Sequence, residues 1–495
     1  MDTVWILGDQ LHRGVASLEG CEPGSVRLLF VRSEARLRAG RIHRQRLHLV
    51  LTAMRRFAAE RADEGFEVDW REAGSFAAGL DAHRTRFRPG RVVAMEPSRH
   101  AGRAHLEALG VELVRDDRFL CHYGDFAAWA KDRERVRMED FYRWQRRRLG
   151  VLMDGDAPCG GRWNFDEANR EPPPRDATPW TRPVRSRLDD LDREVLAGLP
   201  ETAFGAEPDG TWATSRRAAL ARLRRFVEDE LPRFGPHQDA MTERSWHLAH
   251  SLLSPYLNLG LLRPREVLEA AETAYRDGQA PLASVEGFVR QILGWREYVW
   301  GLYWLWMPGY ARRNALGARR GLPPLFTEPG ATRMRCVAKA LEAVERHGYA
   351  HHIQRLMVLG NLALLAGVRP SEMVRWMQDA FVDGAEWVMI PNVVGMALHA
   401  DGGRMATKPY AAGGAYIDRM SDHCGRCPYD PKRRTGDDAC PFTTLYWHFV
   451  DRHHDRLVRN PRTARAARQL ERLPDRDATL AHAERVLGRL SAGSL

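Results

Sequence analysis

Three cysteines near the carboxyl end, Cys424, Cys427 and Cys440, stand in the pattern C-x2-C-x12-C, with Pro441 after the last. Two cysteines separated by two residues put both thiolates on one turn facing one ion, and their softness selects zinc or iron–sulfur. Three thiolates do not close a four-ligand site, so the pattern asks for a fourth ligand. The candidates are His423, His448 or a distant cysteine, of which Cys336, on a helical stretch, is the best placed. A proline after the last cysteine also occurs in cluster-binding runs. On spacing alone, zinc and iron–sulfur both stay open. Cys21, Cys121 and Cys159 carry no motif, and seven cysteines in 495 residues are too few for a disulfide scaffold.

Two further groupings have residue types suited to chemistry. Trp295, Tyr298, Trp300, Tyr303, Trp304, Trp306 and Tyr310 fall in one segment, followed by Trp376, Trp387, Tyr410, Tyr416 and Trp447. Most such rings belong in a core. Rings at this density can also enclose a flat cofactor, or relay single electrons to a cofactor that drives the reaction. Tyr349-Ala350-His351-His352-Ile353 opens a helix. Histidine changes charge near neutral pH, which suits a proton donor as well as a ligand or a surface cap. The chain has no G-x-G-x-x-G, no G-K-[ST] loop, no H-E-x-x-H and no Ser-His-Asp order. Dinucleotide and P-loop chemistry are therefore unsupported.

The elements that must hold these residues divide the chain. In residues 1–130, apolar runs at 3–7, 26–31, 67–70, 91–95 and 111–114 read as strands, with helices expected over 41–64 and 99–109. This alternation predicts a Rossmann-like parallel sheet, whose ligands sit beyond the carboxyl ends of the strands. Gly8-Asp9-Gln10 and Ser33-Glu34 are then candidate pocket residues. Residues 131–214 lose periodicity, with Pro172–Pro174, Pro179 and Pro183 breaking regular structure, and read as an interdomain connection. Residues 215–495 are helical in period throughout. The expected fold is an α/β domain followed by a larger all-α domain.

Composition sets the outer bounds. The chain is 44% hydrophobic and 28% charged, which excludes a disordered or fibrous protein. Its net charge is +10, and only four of the 75 basic residues are lysines. A surplus of positive charge attracts phosphate, although an arginine bias of this kind also follows genome composition. The N-terminus does not read as a signal peptide, so none is expected, and the longest apolar stretch, 353–368, contains Arg355 and Asn361 and falls short of the ~20 residues that span a bilayer. A cytoplasmic protein is expected, with no membrane partner.

The segment SLLSPYLNLG at 251–260 resembles the flavin-binding motif of the photolyase and cryptochrome family, and GFVRQILGWREY at 287–298 resembles that family's second FAD-facing helix. Residues 349–363 and 386–416 are similar to one branch, the bacterial iron–sulfur cryptochromes and photolyases, also called prokaryotic (6-4) photolyases. The resemblance runs essentially the whole length and includes GDQL at 8–11 and GGRWN at 160–164. It implies photolyase architecture: an antenna-binding α/β domain at 1–130, a connection at 131–214, and a helical FAD and iron–sulfur domain at 215–495.

It also implies three cofactors. FAD would be held by Ser251, Leu252, Leu253, Ser254, Asn258, Gln291, Trp295, Arg296, Tyr298, Arg355, Asn361, Asp383 and Met389. A [4Fe–4S] cluster would be ligated by Cys336, Cys424, Cys427 and Cys440, and a 6,7-dimethyl-8-ribityllumazine antenna would sit by Asp9, Gln10, Glu34 and His43. The implied activity is light-driven repair of UV-damaged DNA by a monomer. Excited reduced FAD would pass an electron to a (6-4) photoproduct flipped into the pocket, with His351, His352 and Tyr410 at the lesion. Trp376 and Tyr416 match the electron-supply path. The other activity the family offers is blue-light sensing without efficient repair. Two departures bear on the choice. Met389 stands where relatives carry asparagine or glutamate, and a thioether neither takes nor gives a proton. Met377 stands where relatives carry tyrosine.

Overall fold

The computed structural model describes residues 1–174, 179–328 and 330–495. Strands β1 (Asp2–Trp5), β2 (Val26–Ser33), β3 (Glu67–Ala73), β4 (Val92–Met95) and β5 (Glu112–Val114) form one sheet in the order β3-β2-β1-β4-β5. Every pairing is parallel. Both faces are covered, which is why the strands read as continuous apolar runs rather than as an alternation. Val4, Leu28 and Phe30 point to one core, while Trp5, Leu29 and Val31 point to another. The helices Arg44–Asp63 and His100–Ala108 lie inside their expected ranges. The chain order reverses between β1 and β4, so the sheet opens a crevice at the carboxyl ends of those two strands.

Helices are also present where no periodicity announced them. Phe76–Phe87 buries only Gly79, Leu80 and His83, a stripe too narrow to register as amphipathic. Gly79 is required there, because a Cβ would come within 2.6 Å of Val31. In the connecting segment, Met138–Leu149 buries Gln145 and Arg146 beside Phe141 and Tyr142, so its inward face looks polar in sequence. A further helix, Asp190–Ala197, is closed by a capping box at Asp189. From Asp190 onward the described residues form helices and no further sheet.

Side chains of the helix Arg44–Asp63 reach across to the helical half. Arg46 donates to Gln378 O, Gln45 Nε2 donates to Arg346 O at 3.1 Å, and the backbone N–H of His43 donates to Asp379 O at 2.8 Å. Arg99 adds an ion pair to Glu386 at 2.7 Å. Among the described residues no helix is long and apolar enough to cross a membrane.

Candidate functional site

Asp383 is the hub of the helical half. Its carboxylate accepts from Arg355 Nη1 at 2.8 Å and Nη2 at 3.2 Å, and from Ser254 Oγ at 2.7 Å, while its carbonyl accepts from Asn258 Nδ2 at 3.3 Å. Three distant segments, 251–258, 355 and 383, therefore meet at one buried ion pair. Breaking such a pair by removing one partner leaves an uncompensated charge, so the cluster is rigid. Leu252 holds a left-handed backbone (φ 57°) next to it, a strained geometry for a branched residue of the kind found at ligand clamps.

Local helix irregularity aims these side chains. Among the described residues, π-helical turns span Phe226–Glu230, Arg290–Arg296, Gln354–Gly360 and Pro391–Ala397. The second carries Gln291, Trp295 and Arg296, the third carries Arg355, and the fourth begins just after the buried Met389. A π turn adds one residue to the helical ring and is frequent at functional sites. Arg296 Nη2 reaches Leu257 O at 3.5 Å and its guanidinium lies 4.1 Å from the Phe119 ring, while its Nε is buried without a partner. Tyr298 turns away into a separate cluster with Phe126 and Phe141, its hydroxyl donating to Val136 O. Asn361 exchanges both amide bonds with the backbone of Ala412, which ties down the loop after Tyr410.

Gly348 (φ 61°) ends the helix Arg335–His347 and starts the histidine segment. A Cβ there would meet Val382 at 2.9 Å, so only glycine lets the chain run against the Asp383 segment. His351 is fully buried, and neither of its ring nitrogens has a partner. Its ring stacks on His250 at 4.6 Å and 14°, and His250 Nε2 is also unpartnered. Burial pushes both imidazoles down, His250 to about 3 and His351 well below its ordinary value. His352 is exposed, yet desolvation by burial and then Arg355 hold it at about 4. Exposure together with desolvation marks a side chain on the wall of a concavity. Tyr410 is half buried within electrostatic reach of Asp166, Arg170 and Asp239. Burial, reinforced by Asp166, pushes Asp239 up to about 6. No motif marks His250 or Asp239, and sequence reasoning missed both.

The orphaned buried imidazole and guanidinium nitrogens are open to polar partners that the described residues do not supply. The anchored Arg355–Asp383 pair, the Leu252 turn and these orphans together fit a large cofactor with polar edges such as FAD. Tyr416 lies near Asp239 and Arg170. Trp376 packs on Phe326 and Phe381 and donates its indole N–H to Phe326 O at 2.8 Å.

The four expected cysteines line one small cavity with Met334, Ile417, Tyr429 and Phe442. Cys336 comes from the helix Arg335–His347, and Cys440 caps the helix Pro441–Arg452. Burial pushes the Cys336 thiol far up and also raises the Cys440 thiol, where the N–H groups of Thr443 and Phe442 offset it in part. A Cβ on Gly414 would sit 3.0 Å from Cys440 Sγ, so glycine admits the loop to the sulfur. Four free thiols around one apolar cavity suit a cluster with four thiolate ligands better than a hard cation. Glu243, Asp422 and His423 also gather nearby, but Arg335 occupies Glu243.

At the sheet crevice, Gln10 bridges the switch point, its Nε2 donating to Met95 O at 2.9 Å and Glu96 O at 3.3 Å. Asp9 accepts from Ser98 Oγ at 2.5 Å and pairs with Arg118 at 2.7 Å. His43 is buried against Phe204, its Nδ1 accepting from Gln45 N and its Nε2 bonded to Glu345 O. Asp9 and Glu34 both stay half exposed, Glu34 at the start of a short helix capped by Ser33 and paired with Arg32. Most of the polar capacity expected around a lumazine is thus spent on the protein itself, and the fit is weaker than at Asp383.

A parallel sheet of this order joined to a larger helical half is the architecture of the photolyase and cryptochrome class. The profile described as deoxyribodipyrimidine photo-lyase-related protein matches residues 4–206. A (6-4) photolyase of Agrobacterium fabrum is 43% identical over 477 residues, covering 93% of this chain and 94% of that one. In fold, the chain resembles a bacterial class III photolyase from Agrobacterium tumefaciens (TM-score 0.60, 17% identity, 99% and 96% covered). It also resembles a Synechocystis cryptochrome (TM-score 0.52, 15% identity, 79% and 82% covered). The chain belongs to the bacterial (6-4) photolyase family.

Proposed function

We propose that this chain repairs UV-damaged DNA with light, as a (6-4) photolyase, and that the Asp383 pocket with its histidine wall is where it does so. The observation that carries the reading is the convergence of Ser254, Asn258 and Arg355 on Asp383, one helical turn from His351 and His352. FAD bound there would supply the photo-excited electron that splits the lesion. Ser251–Ser254, Asn258, Gln291, Trp295, Arg296, Arg355, Asp383 and Met389 bind it.

The protein's own residues do the rest. His352, on the cavity wall, delivers the proton that a (6-4) product needs. Bringing DNA phosphates near raises its affinity for that proton, because an adjacent anion favours the charged imidazole. His351, held neutral by burial and its two histidine neighbours, fixes the geometry of that transfer. Tyr410 orients the extruded base by hydrogen bonding, and the net charge of +10 supports a grip on the duplex backbone. Trp376 and Tyr416 are single-electron donors, with no ring relay among the described residues to refill Trp376. Cys336, Cys424, Cys427 and Cys440 hold a [4Fe–4S] cluster, which supplies a one-electron centre beside the helical core. An antenna, if carried, sits by Glu34 at the end of β2.

The test is illumination of the reduced protein with oligonucleotides bearing either a (6-4) product or a cyclobutane dimer. Loss of the (6-4) product is expected. If neither lesion disappears, the chain is a blue-light sensor instead, a reading that the thioether of Met389 keeps in view.

A further inference from the structure

The rings around Trp376 lead nowhere. Among the described residues, its ring neighbours are Phe326 and Phe381, and Met377 follows it in sequence. Phenylalanine and thioether groups are harder to oxidise than indole or phenol, so an electron hole on Trp376 has no next station.

A different line of ring contacts, two edge-on and one stacked, has every station. Trp387 lies two residues from Met389, and its ring is 5.5 Å from the Arg296 guanidinium. Its centroid is 5.7 Å from Trp300, which is 5.6 Å from Trp304, which stacks on Tyr123 at 4.4 Å and 21°. Each pair is at direct ring contact. The line runs from the fully buried Trp300 to the half-buried Trp304 and Tyr123.

The indole N–H groups of Trp300 and Trp304 are both buried and lack acceptors. Two successive orphaned donors in one line ask for an explanation beyond packing. An oxidised indole that cannot shed its N–H proton stays a cation, so the hole moves on instead of being trapped. Tyr123 is built in the opposite way. Its hydroxyl donates to Glu96 Oε1 at 2.5 Å, and Glu96 Oε2 is 2.8 Å from His122 Nε2. Arg103 bonds both Tyr123 and Glu96. An oxidised phenol is a far stronger acid than a carboxylic acid, so its proton passes to Glu96 and the hole stops there.

We infer that Trp387, Trp300, Trp304 and Tyr123 form a second one-electron supply route, ending in a proton-coupled donor at Tyr123–Glu96. The inference rests on the flavin pocket proposed above. Trp387 gives one electron to the photo-excited oxidised flavin and refills from Trp300, Trp304 and then Tyr123. Tyr123 loses one electron along the line and one proton to Glu96, leaving a neutral tyrosyl radical. A thiol in solution returns the electron, Glu96 returns the proton and the thiol's own proton goes to solvent. Two such events convert two thiols into one disulfide.

The test is electron paramagnetic resonance and transient absorption on the flavin-loaded, oxidised protein, illuminated without thiol. A neutral tyrosyl signal is expected in the parent and should narrow on ring-deuterated tyrosine. Tyr123→Phe keeps the ring stack and removes only the hydroxyl, and should lose the signal. Trp304→Phe should lose it as well, although Tyr123 is intact. A parent whose flavin is photoreduced with no tyrosyl signal overturns the route, and so does a signal surviving in Tyr123→Phe. A purified protein with no flavin bands would instead overturn the pocket reading.

Discussion

His352 is where proton chemistry and cofactor binding are separable. Its side chain makes no hydrogen bond to the Asp383 hub, whereas Arg355, one turn on, is held by it through two bonds. His352→Ala should therefore keep the flavin, read from the visible spectrum of the purified variant. It should slow (6-4) repair about 10²–10⁴-fold, the range a positioned general acid contributes. Full repair by that variant would move the proton donor elsewhere, with the stacked His250–His351 pair next in line.

At the scale of elements, the cysteine cavity joins two helices that are far apart in sequence. Cys336 lies in the first turn of Arg335–His347, the helix that Gly348 terminates just before the histidine segment. Cys336→Ser should abolish the broad iron–sulfur absorbance and the bound iron while leaving a folded chain, as circular dichroism would register. Unchanged iron content would remove Cys336 from the ligand set. The C-x2-C-x12-C run was legible as one ligand group from its spacing, whereas Cys336 joined it only through the family resemblance. The strands were legible too, since a sheet buried on both faces writes itself as apolar runs. The helix Met138–Leu149 was hidden because its buried face includes Gln145 and Arg146. Orientation within the flavin-facing helices was hidden for a different reason. One extra residue in a π turn rotates everything after it by about 100°. This is why Tyr298, just past the π turn Arg290–Arg296, faces Phe126 and Phe141 and not the pocket.

Across the whole molecule, buried histidines set the response to acid. Burial lowers His43 and His347 to about 4 and His250 to about 3, with His247 and His351 well below their ordinary value. The unfolded chain takes up these protons near pH 6.5 and the folded one does not. Stability therefore falls as pH drops from about 6.5 to 4, by about 1.4 kcal/mol per pH unit for each histidine. Glu230 and Glu297, pushed up to about 7 by burial, and Asp239, at about 6, act in the opposite sense but are fewer. The melting temperature should fall between pH 7 and pH 5, and a rise on acidification would show that these imidazoles are not buried as neutral groups. The seam between the halves has a consequence of another kind. Gln45 and Arg46, together with the backbone of His43, address main-chain carbonyls at Arg346, Gln378 and Asp379. A carbonyl is present whatever side chain its residue bears, so the helical side can drift in sequence without loosening its grip on the sheet. Gln45 and Arg46 have no such freedom, and a graft of this sheet onto another family member's helical half would take hold wherever the backbone path is kept.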